Sequence, residues 1–353
     1  MNSSIFVFAG EQSGDAIGAH LVHLLKNQHY RCYGVGGKKM ESAGLEIVLS
    51  IEHFQIMGFF QVLKNLPKVL YYFQKVQNII LKTNPSLVLF IDYPGFSLKM
   101  ASTLRKKGFK GKIVQYVCPS IWAWKKKRKK ILEDHFDLLF SLFAFEKNHF
   151  NQSSLPVLWC GHPFALKESS LPSSTHLIIY PGSRKSVIEM NLEIQLQAAD
   201  ILKKELNIPI GISCSRPQLF ELIERFNQGR FPIYQNQEEK DLTKLAIATS
   251  GTITLELALK GIPAVVTYNL KMLDAWIAKY VFKLNLPFYC IVNIVSEKEV
   301  YKEIIGINIV PHQIVEAAKI ALKTPIDQQG FKDKVFNPQH DTIFIQGVTG
   351  LLS

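Results

Sequence analysis

The stretch Ser86-Leu87-Val88-Leu89-Phe90-Ile91-Asp92-Tyr93-Pro94-Gly95-Phe96 decides the fold class. Leu87 to Ile91 is unbroken apolar sequence, and it ends on an acid followed by a turn-forming Pro-Gly pair. Such a run, bounded by turn residues, fits a parallel strand covered on both faces, whereas a strand with one wet face would alternate. Working outward, Ile5–Ala9, Arg31–Val35 and Lys112–Val117 read as further strands, and Asp15–Asn27 and Leu66–Leu81 as helices. Strand and helix in alternation predict βαβ units and a doubly wound parallel sheet of the α/β class.

The alternation pauses at Gly161-His162-Pro163 and the Ser- and Pro-containing stretch from Glu168 to Thr175, then restarts. His176–Tyr180, Ile208–Ser213, Leu245–Ala248 and Pro263–Tyr268 read as strands, and Val187–Leu206, Thr252–Lys260 and Pro311–Lys323 as helices. Two Rossmann-like domains follow, residues 1–165 and 166–323, with a hinge near 165. Residues 324–353 show no decisive pattern and read as a tail with the option of returning to the N-terminal domain.

A chain of 353 residues holds about two domains. Lys plus Arg number 41 against 29 Asp plus Glu, a net charge of +12. That surplus points to an anionic partner: nucleic acid, a phosphorylated substrate or an acidic membrane surface. No apolar run approaches the roughly 18–20 residues of a membrane span, Leu138–Phe145 being short, and Ile5–Ala9 is too brief for a signal peptide. Cys32, Cys118, Cys160, Cys214 and Cys290 are scattered, which favours neither zinc nor disulfides and suits a reducing cytosol.

Three Gly-containing turns fall after a strand and before a helix: Gly10-Glu11-Gln12-Ser13-Gly14-Asp15, Pro181-Gly182-Ser183-Arg184 and Ser250-Gly251-Thr252. In a doubly wound sheet these are the places where helix N-termini meet anions, by roughly 0.3–2 kcal/mol per site. One such turn alone needs no ligand; three, one of them carrying Arg184, favour a phosphate-bearing one. Glu256, one turn after Thr252, is placed either to accept from ribose hydroxyls or to balance helix charge. Asp92 at a strand's C-terminus is placed either as a general base or as the cap of a turn.

Other chemistries find little support. No two Asp residues stand in a D-x-D pair, and His20 and His23 read as a solvated helix face rather than as ligands. GEQSG has its Ser one position too late for a nucleophile elbow, and Gly34-Val35-Gly36-Gly37 misses the dinucleotide spacing. The run Lys125-Lys126-Lys127-Arg128-Lys129-Lys130 directly follows Ile121-Trp122-Ala123-Trp124. With about half its charges on one surface it is worth roughly 3 kcal/mol at an anionic bilayer. Tryptophans suit that interface, and Met57, Phe59 and Phe60 offer apolar contact for acyl chains. A nucleic-acid patch, a solvated face or ordinary core would give the same composition.

Taken in order, AGEQSGD (9–15), Met57-Gly58, FIDYPGF (90–96), YVCPSIWAWKKKR (116–128), FEK (145–147), GHP (161–163), YPGSR (180–184), SGTITLE (250–256) and the region from Pro287 to Asn293 resemble the lipid-A-disaccharide synthase family. The resemblance covers the chain to about residue 310. It implies a GT-B fold, two Rossmann-like domains facing across a cleft, without a cofactor or metal. The implied reaction is inverting transfer of 2,3-diacylglucosamine from its UDP derivative to 2,3-diacylglucosamine 1-phosphate, giving the β-1′,6-linked disaccharide phosphate and UDP.

By that resemblance Asp92 is the base. Ser183, Arg184, Gly251, Thr252, Glu256 and Asn293 bind the UDP-sugar. Ser13, Asp15, Ser120, Trp122 and Arg128 line the sugar and acceptor side, and Met57, Phe59, Phe60, Trp124, Lys125, Lys126 and Lys127 meet the membrane. The implied location is peripheral, on the cytoplasmic face of the inner membrane, with no nucleic-acid partner and with a homodimer left open. Gly95 stands where the family often has a carboxylate, Ser97 where it often has Asn, and an Ala-rich closing helix is missing. The competing enzyme reading keeps the fold and the UDP site but makes the chain a UDP-sugar epimerase or a transferase to another lipid-linked acceptor.

Overall fold

The structure is a computed structural model that describes residues 3–54, 66–121, 127–166, 175–235, 239–270 and 286–353. It forms two compact units, one of residues 1–163 and 337–353 and the other of residues 164–336.

In the first unit the strands are β1 (Ser4–Ala9), β2 (Arg31–Gly36), β3 (Glu46–Ser50), β4 (Leu87–Ile91), β5 (Lys112–Tyr116), β6 (Leu138–Ser141) and β7 (Val157–Trp159). They make one parallel sheet in the order β3-β2-β1-β4-β5-β6-β7. The helices are α1 (Gln12–Asn27), α2 (Lys38–Ser42), α3 (Leu66–Thr83), α4 (Pro94–Lys106), α5 (Lys127–His135) and α6 (Ala144–Asn148). Every residue of β4 is buried, as are all but the first of β1, which is why these runs are apolar without alternation. On one face Phe8 stacks on Phe96 of α4 with centroids 4.2 Å apart, and Phe54 meets both rings edge-on.

The second unit repeats the plan. Its strands are β8 (His176–Tyr180), β9 (Ile210–Ser213), β10 (Ile233–Tyr234), β11 (Thr243–Thr249), β12 (Ala264–Asn269) and β13 (Lys302–Gly306), in the order β10-β9-β8-β11-β12-β13, all parallel. Around them lie α7 (Lys185–Leu206), α8 (Phe220–Asn227), α9 (Glu239–Leu242), α10 (Thr252–Leu259), α11 (Ile291–Ser296), α12 (Pro311–Lys323) and α13 (Gln328–Val335). Each sheet order reverses once, between β1 and β4 in the first unit and between β8 and β11 in the second. Connections leave the two central strands in opposite directions there, which opens a crevice at their carboxyl ends.

Residues 324–353 are divided between the units. Helix α13 stays with the second, where Gln328 Nε2 donates to Leu259 O at 2.6 Å. Helix α14 (His340–Leu352) belongs to the first unit, with buried Phe344 edge-on to Tyr116 at 5.9 Å and against Phe140 at 5.2 Å.

Candidate active site

Asp92 leaves β4 at the reversal point of the first sheet, beside the Gly10–Gly14 turn that leaves β1. Its backbone is left-handed (φ +53°), as is that of Tyr93 (φ +55°), which caps α4 with Pro94 in the first turn. Asp92 N donates to Tyr116 O at 2.8 Å. From below, the amide of Gln115, wholly buried in β5, donates to Asp92 O at 3.1 Å and to Tyr116 O and Val117 O at 3.3 Å. Val117 is itself left-handed (φ +77°), a costly conformation for a β-branched residue. Two strand ends in strained turns are thus tied together by one side chain, and Asp92 is half-exposed.

Arg128, half-buried in α5, is electrostatically coupled to that carboxylate. Burial lowers its pKa and the Asp92 charge works the other way, so the guanidinium stays cationic at neutral pH. Ser13 at the start of α1 and Ser120 after β5 are half-buried at the same carboxyl edge of the sheet. Gly95 is exposed, and among the described residues no atom beyond its chain neighbours and its own helix backbone lies within 4 Å of where a Cβ would be.

Asp15 is a correction to the sequence reading. It is 1% exposed, and its oxygens accept from Gly37 N at 2.7 Å and from Lys39 N and Met40 N at 3.2 Å. The carboxylate caps α2 from α1 instead of facing a sugar. It also explains Gly37 just after β2, because a Cβ there would lie 2.7 Å from Asp15 Oδ2.

At the reversal point of the second sheet two helix N-termini lie on neighbouring strands, α7 after β8 and α10 after β11. Neither carries a side-chain cap, so their first N–H groups face outward with the positive ends of both dipoles. Ser183 and Arg184 are exposed at the first, Gly251 and Thr252 at the second. Gly182 has φ +107°, and a Cβ there would be 3.0 Å from Thr249 Oγ1 and 3.1 Å from Val187 Cγ1. The tight turn therefore needs glycine. Glu256, half-buried, is ion-paired with Lys240 of α9.

Asn293 is the second correction. It is wholly buried, its amide donating to Tyr301 O at 2.7 Å and Glu303 Oε1 at 2.8 Å while its oxygen accepts from Val300 N and Tyr301 N, both at 2.8 Å. That saturates the side chain and leaves nothing for a nucleotide. It works at one remove: Glu303 accepts from Tyr289 N and Cys290 N at 2.9 Å, and Tyr289 O faces Ser250 Oγ at 3.4 Å. The pair thus braces the loop beside Ser250-Gly251-Thr252.

Met57, Phe59, Phe60, Trp122, Trp124, Lys125 and Lys126 lie outside the described residues. Lys127 is exposed at the start of α5. Nearby in sequence, α3 carries Leu70 and Tyr71, 42% and 57% exposed, between exposed Lys68 and Lys75. No described helix is long and apolar enough to cross a membrane. His20, half-exposed on α1, is engaged as well: its Nε2 lies 2.7 Å from Asp341 Oδ1 of α14.

A family model for lipid-A-disaccharide synthetase matches residues 5–341. The lipid-A-disaccharide synthase of Chlamydia trachomatis serovar D is 38% identical over 358 aligned positions, 94% of this chain and 58% of that protein. The chain thus spans a little over half the length of its chlamydial relatives. The enzyme of the same name from Coxiella burnetii is 31% identical over 337 positions, 89% of this chain and 88% of that one. Among solved structures, the UDP-GlcNAc 2-epimerase of Methanocaldococcus jannaschii, in complex with UDP-GlcNAc and UDP, aligns over 99% of both chains with TM-score 0.65 and 12% identity. The calicheamicin glycosyltransferase CalG4 aligns over 100% of this chain and 98% of that one with TM-score 0.51 and 12% identity. These two likenesses establish the GT-B type of fold, two Rossmann-like domains.

Proposed function

Because the chain belongs to the lipid-A-disaccharide synthetase family, we propose that it transfers 2,3-diacylglucosamine from its UDP derivative to 2,3-diacylglucosamine 1-phosphate. The observation that carries the reading is Asp92, held in a left-handed turn at the reversal point of its sheet with the Arg128 charge beside it. Asp92 takes the proton of the acceptor 6-hydroxyl as its oxygen attacks the anomeric carbon. The bond to the UDP oxygen breaks on the opposite face, so configuration inverts in one step. Arg128 sets a positive charge beside the carboxylate and suits an anionic acceptor.

The paired N-termini of α7 and α10 hold the diphosphate, and Arg184 stabilises its growing charge as it leaves. The reaction so written draws on no metal. Glu256 accepts from the ribose, exchanging its Lys240 partner for those hydroxyls. Lys127 and the exposed apolar and basic residues of α3 support a peripheral seat on the anionic cytoplasmic face of the inner membrane.

The test is incubation of both lipid substrates with the protein in detergent micelles containing EDTA, with products resolved by mass spectrometry. Stoichiometric disaccharide phosphate and UDP are expected. UDP binding without disaccharide would turn the reading towards a UDP-sugar epimerase or another acceptor, and absence of both would overturn it.

A further inference from the structure

Helix α14 meets α1 through side chains that the proposed reaction leaves unused. His20 Nε2 and His340 Nδ1 lie 2.7 Å and 2.6 Å from the same oxygen, Asp341 Oδ1, and the donor atoms of the three residues fall within 4.8 Å of one another. His340 is 1% exposed, and its second nitrogen, Nε2, is 2.7 Å from the hydroxyl of buried Tyr116. Cys160 Sγ stands 3.6 Å beyond that hydroxyl. The side chains of His20 and Asp341 are 36% and 48% exposed, so the cluster opens to solvent on one side.

We propose that His20, His340 and Asp341 bind one divalent transition-metal ion of the zinc class, water completing its coordination, and that this ion fastens α14 to α1. Two imidazoles and a carboxylate form a donor set that such ions take. A ligating histidine is ordinarily oriented by a bond to its other nitrogen, and Tyr116 supplies that bond to His340.

Without metal, His20 Nε2 and His340 Nδ1 carry the protons that Asp341 accepts; on metal binding each proton moves to the other ring nitrogen, so that His340 Nε2 donates to the Tyr116 oxygen. Ligand atoms about 2.0–2.1 Å from a tetrahedral ion lie about 3.3 Å apart. The hydrogen-bonded contacts of 2.7 and 2.6 Å must therefore widen by roughly two-thirds of an ångström. The two part-exposed side chains have the freedom to do this.

The experiment uses tag-free full chain, stripped with EDTA and dialysed, and titrated with Co²⁺ while the visible spectrum is read. Zn²⁺ is then added as competitor, and melting is followed with and without it. One Co²⁺ per chain is expected, with tetrahedral d–d bands abolished by Zn²⁺ and a melting point raised by Zn²⁺ through linkage. His20→Ala and Asp341→Asn each weaken binding at least tenfold and lose the Zn²⁺ stabilisation. Both positions are part-exposed, so the variants fold, and their metal-free melting curves check it. Absence of stoichiometric binding up to 1000-fold the protein concentration would overturn the proposal. Binding of equal strength in wild type and both variants would overturn it too.

Discussion

The side-chain amide of Gln115 donates to the main-chain carbonyl of Asp92 at 3.1 Å, from a position with no exposure to solvent. Because the same amide holds Val117 O at 3.3 Å, it fastens two left-handed strand ends to each other. Gln115→Leu keeps the volume and removes the donor. We expect disaccharide formation to slow by about tenfold, ~1.4 kcal/mol of barrier. UDP affinity should be unchanged, and melting should fall by a few degrees. Steady-state kinetics beside equilibrium UDP binding checks this, and an equal loss in both would place Gln115 elsewhere in the mechanism.

Asp15→Ala separates structure from chemistry. Removing the carboxylate strips acceptors from Gly37 N, Lys39 N and Met40 N. A loss of about 2 kcal/mol in denaturant unfolding is expected. Turnover per folded molecule should remain near wild type, and a stable but inactive variant would restore Asp15 to the sugar-binding set.

At the second unit's reversal point, Arg184→Ala should remove the charge-assisted bond to the diphosphate proposed above, worth about 1.5–3 kcal/mol. UDP should bind roughly ten- to hundredfold more weakly. UMP, lacking the outer phosphate, should lose less. Gly182→Ala should impair UDP binding as well, since a Cβ at φ +107° must displace Thr249 or Val187. Calorimetry with both nucleotides tests this, and identical losses for UDP and UMP would move Arg184 away from the outer phosphate.

Much of the fold is legible in the sequence because a strand buried on both faces has an unmistakable apolar run, as in Leu87–Ile91. Helix α4 is less so, since Pro94 and Gly95 read as a turn although proline is well tolerated in a first helical turn. The ends of the chain's turns, Asp92, Ser183 and Gly251, are placed by alternation alone. Asp15 and Asn293 are misread because sequence shows that a polar residue is near a site but not which way it points. Both are consumed by backbone groups 7 to 25 residues away. Gln115 and Glu303 leave no signal at all, since each works through contacts with strands and loops that only the fold brings together. The same holds for His20 and Asp341, 321 residues apart.

His162 predicts a pH dependence. Burial, reinforced by His340, lowers its pKa to about 3. An unfolded histidine titrates near 6.5, so between about pH 6.5 and 3 the unfolded chain binds a proton that the native one refuses. Stability therefore falls as pH drops through that window, by about 1.4 kcal/mol per pH unit from this residue. His162→Asn should flatten the pH dependence of unfolding by one proton. Equal slopes for the two proteins would contradict the buried neutral ring.

Asp92→Asn tests the central claim most directly, because the amide keeps the shape and cannot take a proton. Single-turnover disaccharide formation in micelles, measured beside UDP affinity for wild type and variant, is the decisive comparison. The account predicts a rate lowered by about 10²–10⁴-fold with UDP affinity within twofold of wild type. A variant that still forms disaccharide at near wild-type rate would contradict it.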